Sequence, residues 1–160
     1  MKIFGKRPFM FFALLVALDQ MTKYIVRTRL ALGESVEVTF FFRLNHAVNS
    51  GVAFSMFQGA NRFFAVFSML VLAGIFFWYR KNRSFLSAGV KLSLLLIVAG
   101  AVGNLIDRIV HGHVVDFLLF GIGSYQWPSF NVADSCITVG GLILFYNILR
   151  PGRKPAHLKD

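Results

Sequence analysis

Hydrophobic and polar residues segregate along this chain into long blocks. Four apolar runs, at about residues 9–26, 63–79, 89–110 and 130–149, have the length of membrane-crossing helices, and more polar segments at 28–61 and 111–129 separate them. The first run, FMFFALLVALDQMTKYIV, follows Lys2, Lys6, Arg7 and Pro8 and opens like a secretory signal. No small-x-small cleavage site succeeds it, so a retained helix is expected. The second run holds no charge and reads as scaffold, followed by RKNR (80–83) as a short turn. The third carries Lys91 near one end, where a long side chain can snorkel, and GNLIDR at the other. The fourth closes on Pro151, Gly152 and a basic tail.

The segments between the runs show a different period. SVEVTFFFRLN (35–45) alternates, with Val36, Val38, Phe40, Phe42 and Leu44 on one side and Glu37, Thr39, Phe41 and Arg43 on the other, which predicts one half-buried strand. Residues 45–59, rich in Asn, Gly and Ser, predict turns and further short strands, and a small sheet on the membrane surface would accommodate them. Residues 111–129 contain Gly112, Gly121, Gly123 and Pro128, and are expected to leave the third helix as an outer loop.

Composition agrees with the pattern. At 160 residues a single domain is expected. The chain is 56% hydrophobic and 15% charged, whereas soluble domains average about 25% charged. A formal net charge of +10 raises the question of nucleic acid, but the charges flank the apolar runs instead of forming a patch. Ten Lys and Arg lie in the termini and the 80–83 turn, against four (Arg27, Arg29, Arg43, Arg62) in the long polar segment. Positive residues collect on the cytoplasmic side, so both termini are expected inside and the polar segments outside.

Against this background, carboxylates within apolar surroundings stand out, because an ionisable group in a membrane span is costly and by default functional. Asp19 and Lys23 are spaced i,i+4 and can pair. At ~1.5 Å per residue from Phe9, Asp19 lies about 15 Å along its helix and Lys23 about 20 Å, beyond the midpoint of a ~30 Å core. Asn104 and Asp107 share a helix face, while Asp107 and its neighbour Arg108 point in different directions, leaving Arg108 to pair with another segment. Asp19, Asp107, Asp116 and Asp134, from three helices and a loop, all fall near the outer face.

Asp116 and Asp134 are 18 residues apart with helix breakers between them, so a loop and a helix start can bring them together. Two carboxylates held close do not both ionise, and one can act as base while the other keeps its proton. Such a pair hydrolyses an amide without metal or covalent intermediate. Asn131, nearly one turn before Asp134, could orient a carboxylate or donate to a substrate. Spacing alone leaves open a catalytic pair or a structural or proton-relay network. A small four-helix transporter or proton-relay subunit using Asp19, Lys23, Asp107 and Asp134 is the alternative, though it leaves the polar outer loops carrying Asn49 and Asp116 unexplained.

Other chemistries find little support. His111 and His113, with His46 elsewhere, have no Cys or carboxylate at ligand spacing, so no metal and no cofactor is expected. Ser50 and Ser135 lack a G-x-S-x-G turn and an adjacent His. The single cysteine, Cys136, cannot form an internal disulfide and reads as a core residue.

LDQMTK (18–23), NSGVAFS (49–55), GNLIDR (103–108), HVVDF (113–117) and FNVADS (130–135), in that order, resemble the bacterial lipoprotein signal peptidase (signal peptidase II) family of membrane aspartic proteases. The resemblance spans most of the chain. It implies an integral membrane α-helical fold: four transmembrane helices, a small extracytoplasmic β-sheet and a short extracytoplasmic helix or loop. It implies Asp116 and Asp134 as the catalytic pair. It also places Asp19, Lys23, Asn49, Gly51, Asn104, Asp107, Arg108, Asn131 and Ala133 at positions that support the site or contact substrate and inhibitor. NSG, where many members have a central threonine, is a mild departure. The implied reaction removes the signal peptide from a diacylglyceryl-modified prolipoprotein, just before the modified cysteine, in the bacterial inner membrane. Membrane phospholipid and a globomycin-type cyclic peptide inhibitor are implied as further partners, no nucleic acid is, and a monomer is expected.

Overall fold

The computed structural model describes residues 5–51 and 59–149. Helices α1 (Lys6–Arg29), α2 (Asn61–Asn82), α3 (Ala88–Val110) and α4 (Val132–Leu149) are each long and apolar enough to cross a membrane. At ~1.5 Å per residue they run roughly 27–36 Å, matching a ~30 Å hydrocarbon core. The chain is a multi-pass membrane protein. Much of its apolar surface faces outward, as lipid-facing helices require; α2 buries only Tyr79 against protein. Helices α1, α2 and α3 extend the sequence-predicted runs by up to three residues, whereas α4 starts two residues later than expected, at Val132. The expected turn at 80–83 is corrected on this point: Arg80, Lys81 and Asn82 complete α2, and the link to α3 is 83–87.

The tightest helix pair is α3 with α4, and small residues make the approach possible. A Cβ at Gly140 of α4 would stand 2.8 Å from the Ser93 carbonyl and 3.0 Å from Leu96 Cβ of α3, and one at Gly103 of α3 would stand 2.5 Å from the Asp19 carboxylate of α1. Helix α1 packs on α3 and α4; α2 packs on α3 and makes no extensive contact with α4.

Above one end of the bundle sits an antiparallel sheet in the order β1 (Ser35–Thr39), β2 (Phe42–Asn49), β3 (Val114–Ile122), β4 (Tyr125–Gln126). Two expectations are corrected here. Residues 35–45 are not one strand but a hairpin turning at Phe40–Phe41, and β1 is an edge strand exposed on both faces. Residues 111–129 are not a loop, because VVDFLLF is β-branched and aromatic and pairs along its length with β2. The breakers act at its ends: Gly112 (φ 77°) terminates the helix and Gly123 (φ 62°) turns the β3–β4 hairpin. Of the short strands expected over 45–59, β2 runs to Asn49, and residues 52–58 lie outside the described residues. The sheet docks through Val115 and Phe117, which bury against Val26 of α1 with Leu30, Leu44, Leu118 and Val132 around them. This cluster places β3, and Asp116 on it, directly over the helix ends.

Candidate active site

Asp134 is set by the way α4 begins. Asn131 caps the helix: its Oδ1 accepts the Asp134 N–H (2.9 Å), and the Asp134 carboxylate accepts the Asn131 N–H (3.3 Å), a reciprocal capping box. The remaining carboxylate oxygen accepts Asn104 Nδ2 (2.7 Å) from α3. A carboxylate in the first turn is also favoured by the helix dipole.

Asp116 lies mid-strand on β3, opposite Ala47, and is 5% exposed. Its oxygens accept Asn131 Nδ2 (2.8 Å) and Asn49 Nδ2 (3.2 Å). Asn49 is itself steadied by the turn after β2, where its Oδ1 accepts the Gly51 N–H (3.0 Å). Burial, and next the charge of Asp134, push the Asp116 carboxyl up to about 7; the two asparagine bonds and Lys23 oppose this. One asparagine, Asn131, therefore links both carboxylates.

Beneath the pair lies the charged network expected of Asp19 and Lys23. Lys23 is fully buried and its ammonium donates to Asp19 Oδ2 (2.9 Å), Asp107 Oδ2 (3.0 Å) and Asn104 Oδ1 (2.9 Å). Asp19 also accepts the Ala133 N–H (2.9 Å) at the start of α4, and Asp107 the Val115 N–H (3.2 Å) of β3. The four aspartates from three helices and a strand thus form one hydrogen-bonded cluster. Arg108 points away from Asp107, as expected, and donates to the Gly51 carbonyl (3.2 Å).

Asp116, Asp134, Asn49, Asn104 and Arg108 line a cavity of about 720 Å³. Its walls are apolar: Phe64 and Phe67 of α2, Ile137 and Val139 of α4, and Trp127 and Phe130 beyond β4. Lining residues from α2 and α4 face each other across this space, with α3 behind. Helix α2, read as scaffold from its lack of charge, is corrected to a wall of the site.

Two residues escaped the sequence reading. Gln20 Nε2 faces Asp19 Oδ2, Asp107 Oδ1 and the Gly103 carbonyl, each at 3.1 Å. Arg27, counted there only for topology, lies in the last turn of α1 with Nη1 3.9 Å from Asp107. Their spacing from Lys23, i−3 and i+4, puts them on its helix face and was the available signal. The structure leaves His46 bonded through Nδ1 to the Leu30 carbonyl (3.0 Å), and His111 and His113 rings 6.3 Å apart. Among the described residues no group of three His, Cys, Asp or Glu could hold a metal.

A four-helix membrane protein with two asparagine-held carboxylates facing an apolar cavity has the form of an intramembrane aspartic peptidase. Residues 11–150 match the family described as signal peptidase (SPase) II. The chain is 44% identical to the lipoprotein signal peptidase of Symbiobacterium thermophilum over 140 residues, covering 87% of this chain and 91% of that one. It is 43% identical to that of Desulforapulum autotrophicum over 141 residues, with 85% and 87% covered. Its fold superposes on a bacterial membrane enzyme solved by the in meso method at 2.3 Å resolution, with a TM-score of 0.86, 29% identity, and 98% and 96% of the two chains covered. The chain belongs to the signal peptidase II family, aspartic endopeptidases that cleave lipoprotein signal peptides.

Proposed function

We propose that Asp116 and Asp134 are the catalytic pair and that the substrate is a prolipoprotein whose cysteine already carries a diacylglyceryl group, cut just before that cysteine. The observation that carries this reading is that both carboxylates line one apolar cavity between α2 and α4. A signal-peptide helix and acyl chains supply the apolar surface such walls can cover, each buried CH₂ contributing about 0.8 kcal/mol. In the reaction, the ionised aspartate takes a proton from water as the water oxygen bonds to the scissile carbonyl carbon. The protonated aspartate gives its proton to the carbonyl oxygen. Collapse of the tetrahedral intermediate returns that proton to the second carboxylate, and the departing nitrogen takes the proton held by the first, giving a carboxylic acid and an amine.

The Lys and Arg distribution supports cytoplasmic termini and a site at the outer face of the bacterial inner membrane. The remaining named residues of the network (Asp19, Lys23, Asn49, Gly51, Asn104, Asp107, Arg108, Asn131 and Ala133) hold the pair or bound substrate. Membrane phospholipid surrounds a monomer, and a globomycin-type cyclic peptide occupies the cavity as inhibitor. The test is cleavage of a lipidated precursor by Asp116→Asn and Asp134→Asn proteins. Each should be folded and inactive, with the double variant barely worse than either, since residues acting as a unit are not additive. Turnover near the wild-type rate by either single variant would overturn the assignment.

A further inference from the structure

Lys23 does not line the cavity and is fully buried, yet it helps fix how an amide beside the cavity is turned. Its ammonium uses three donors on three acceptors, and one of these is Asn104 Oδ1 (2.9 Å). The same oxygen receives Asn131 Nδ2 (3.3 Å). If the Asn104 amide were flipped, its NH₂ would face an ammonium and another NH₂ group, three sets of donors with no acceptor. The amide is therefore held one way round, and its Nδ2 is aimed at Asp134 Oδ1 (2.7 Å). At Asp116 the geometry differs, since both its donors are side-chain amides of residues outside α1 and α3, Asn49 and Asn131. The Lys23 charge itself is already matched by Asp19 and Asp107, which leaves the direction of the Asn104 amide as what Lys23 passes on.

We propose that Lys23 is a positioning residue that acts through Asn104 to keep Asp134 supplied with a hydrogen-bond donor, which favours Asp134 as the ionised carboxylate that takes the proton from water. The inference rests on the catalytic pair assigned above. Charged groups that act on Asp134 are Asp19 and Lys23 from α1, Arg108 from α3 and Asp116 from β3, with Asp107 and Arg27 behind Lys23, so substitutions must be chosen to separate donor direction from net charge. The high proton affinity of Asp116, raised to about 7 by burial and its partner, agrees with this division.

The experiment compares pH–rate profiles for cleavage of a lipidated precursor by wild type, Asp107→Asn, Lys23→Met and the charge-balanced Lys23→Met/Asp107→Asn protein, with thermal stability measured on each. Losing a donor to an ionised carboxylate shifts its titration by about one pH unit or more. The acidic limb of the profile should move to higher pH by that amount in the charge-balanced double variant, with a tenfold or greater fall in kcat and little change in KM. Asp107→Asn, which leaves the Lys23–Asn104 bond in place, should keep its acidic limb. If Lys23→Met does not fold, the double variant still decides the matter. An unshifted acidic limb in a folded double variant, or movement of the alkaline limb alone, overturns the proposal. Failure of the catalytic assignment would be distinguished by an active Asp134→Asn protein.

Discussion

Asn131 and Asp134 bond each other twice, side chain to backbone in both directions, and this exchange starts α4 where the site needs it. The amide left over on Asn131 reaches Asp116 at 2.8 Å. One residue thereby couples the folding of a helix end to the spacing of two carboxylates. Replacing Asn131 by Ala should cost about 1–2 kcal/mol of stability through the lost cap. Activity should fall much further than stability, because both carboxylates lose a fixed partner. Asn131→Ser, which can cap the helix but cannot reach Asp116, should recover the stability and not the rate. Thermal unfolding read beside precursor cleavage checks both, and recovery of activity with Ser would show that capping is all Asn131 does.

Burial of Asp116 makes the fold sensitive to pH in a definite direction. Its proton affinity is raised from 3.8 in the free group to about 7 in the folded protein. Below the lower value both states hold the proton, and the favourable contribution is fully present. As pH climbs toward the higher value the unfolded chain ionises first, so stability is lost across that interval. Asp116→Asn removes the ionisable group and should make the protein more thermally stable than wild type at about pH 8, with the advantage disappearing in acid. A wild-type protein that equals or exceeds the variant at alkaline pH would contradict this.

Orientation can be checked independently of chemistry. Arg43 and Gly121 lie on the sheet beside the site, whereas Arg83 follows the far end of α2. A reporter active only outside the cytoplasm should work when fused after Arg43 or Gly121 and fail after Arg83 or Arg153. Activity after Arg83 would invert the assigned orientation and put the aspartates on the cytoplasmic face.

The helices were legible because each apolar run is long and uninterrupted, and the carboxylates because charge in such surroundings has no cheap explanation. Asp19, Lys23 and Asp107 were found on that ground, and the structure joins them within 3.0 Å. The sheet was only half visible. In FFFR the turn falls between chemically identical phenylalanines, with no Gly, Asn or Pro to mark it, so alternation ran straight through a hairpin. Around β3 the error was opposite, since three glycines and a proline outweighed the β-branched and aromatic run between them. Gln20 and Arg27 were hidden for a third reason: their partners sit on α3, and polar residues near a helix end are ordinarily solvated. The cavity wall on α2 was invisible because apolar residues facing lipid and those facing a cavity look alike in sequence.

Close helix packing offers a last test, in which two glycines of the same bundle should respond in opposite ways. A methyl group on Gly103 would meet the Asp19 carboxylate at 2.5 Å, the same group that accepts the Ala133 N–H at 2.9 Å and pairs with Lys23. Asp19 has no room to retreat, being 1% exposed. Gly103→Ala should therefore destabilise the protein by about 1–3 kcal/mol and depress cleavage as well, since the displaced carboxylate disturbs Lys23 and the start of α4. A methyl group on Gly141 meets nothing within 4 Å, and α4 gains a better helix former. Gly141→Ala should be neutral or stabilising by up to about 1 kcal/mol with unchanged cleavage. Thermal stability and precursor cleavage of the two proteins, measured side by side, decide the point. A Gly103→Ala enzyme as stable and active as Gly141→Ala would mean that the Asp19–Ala133 contact does not hold α4 against the rest of the site.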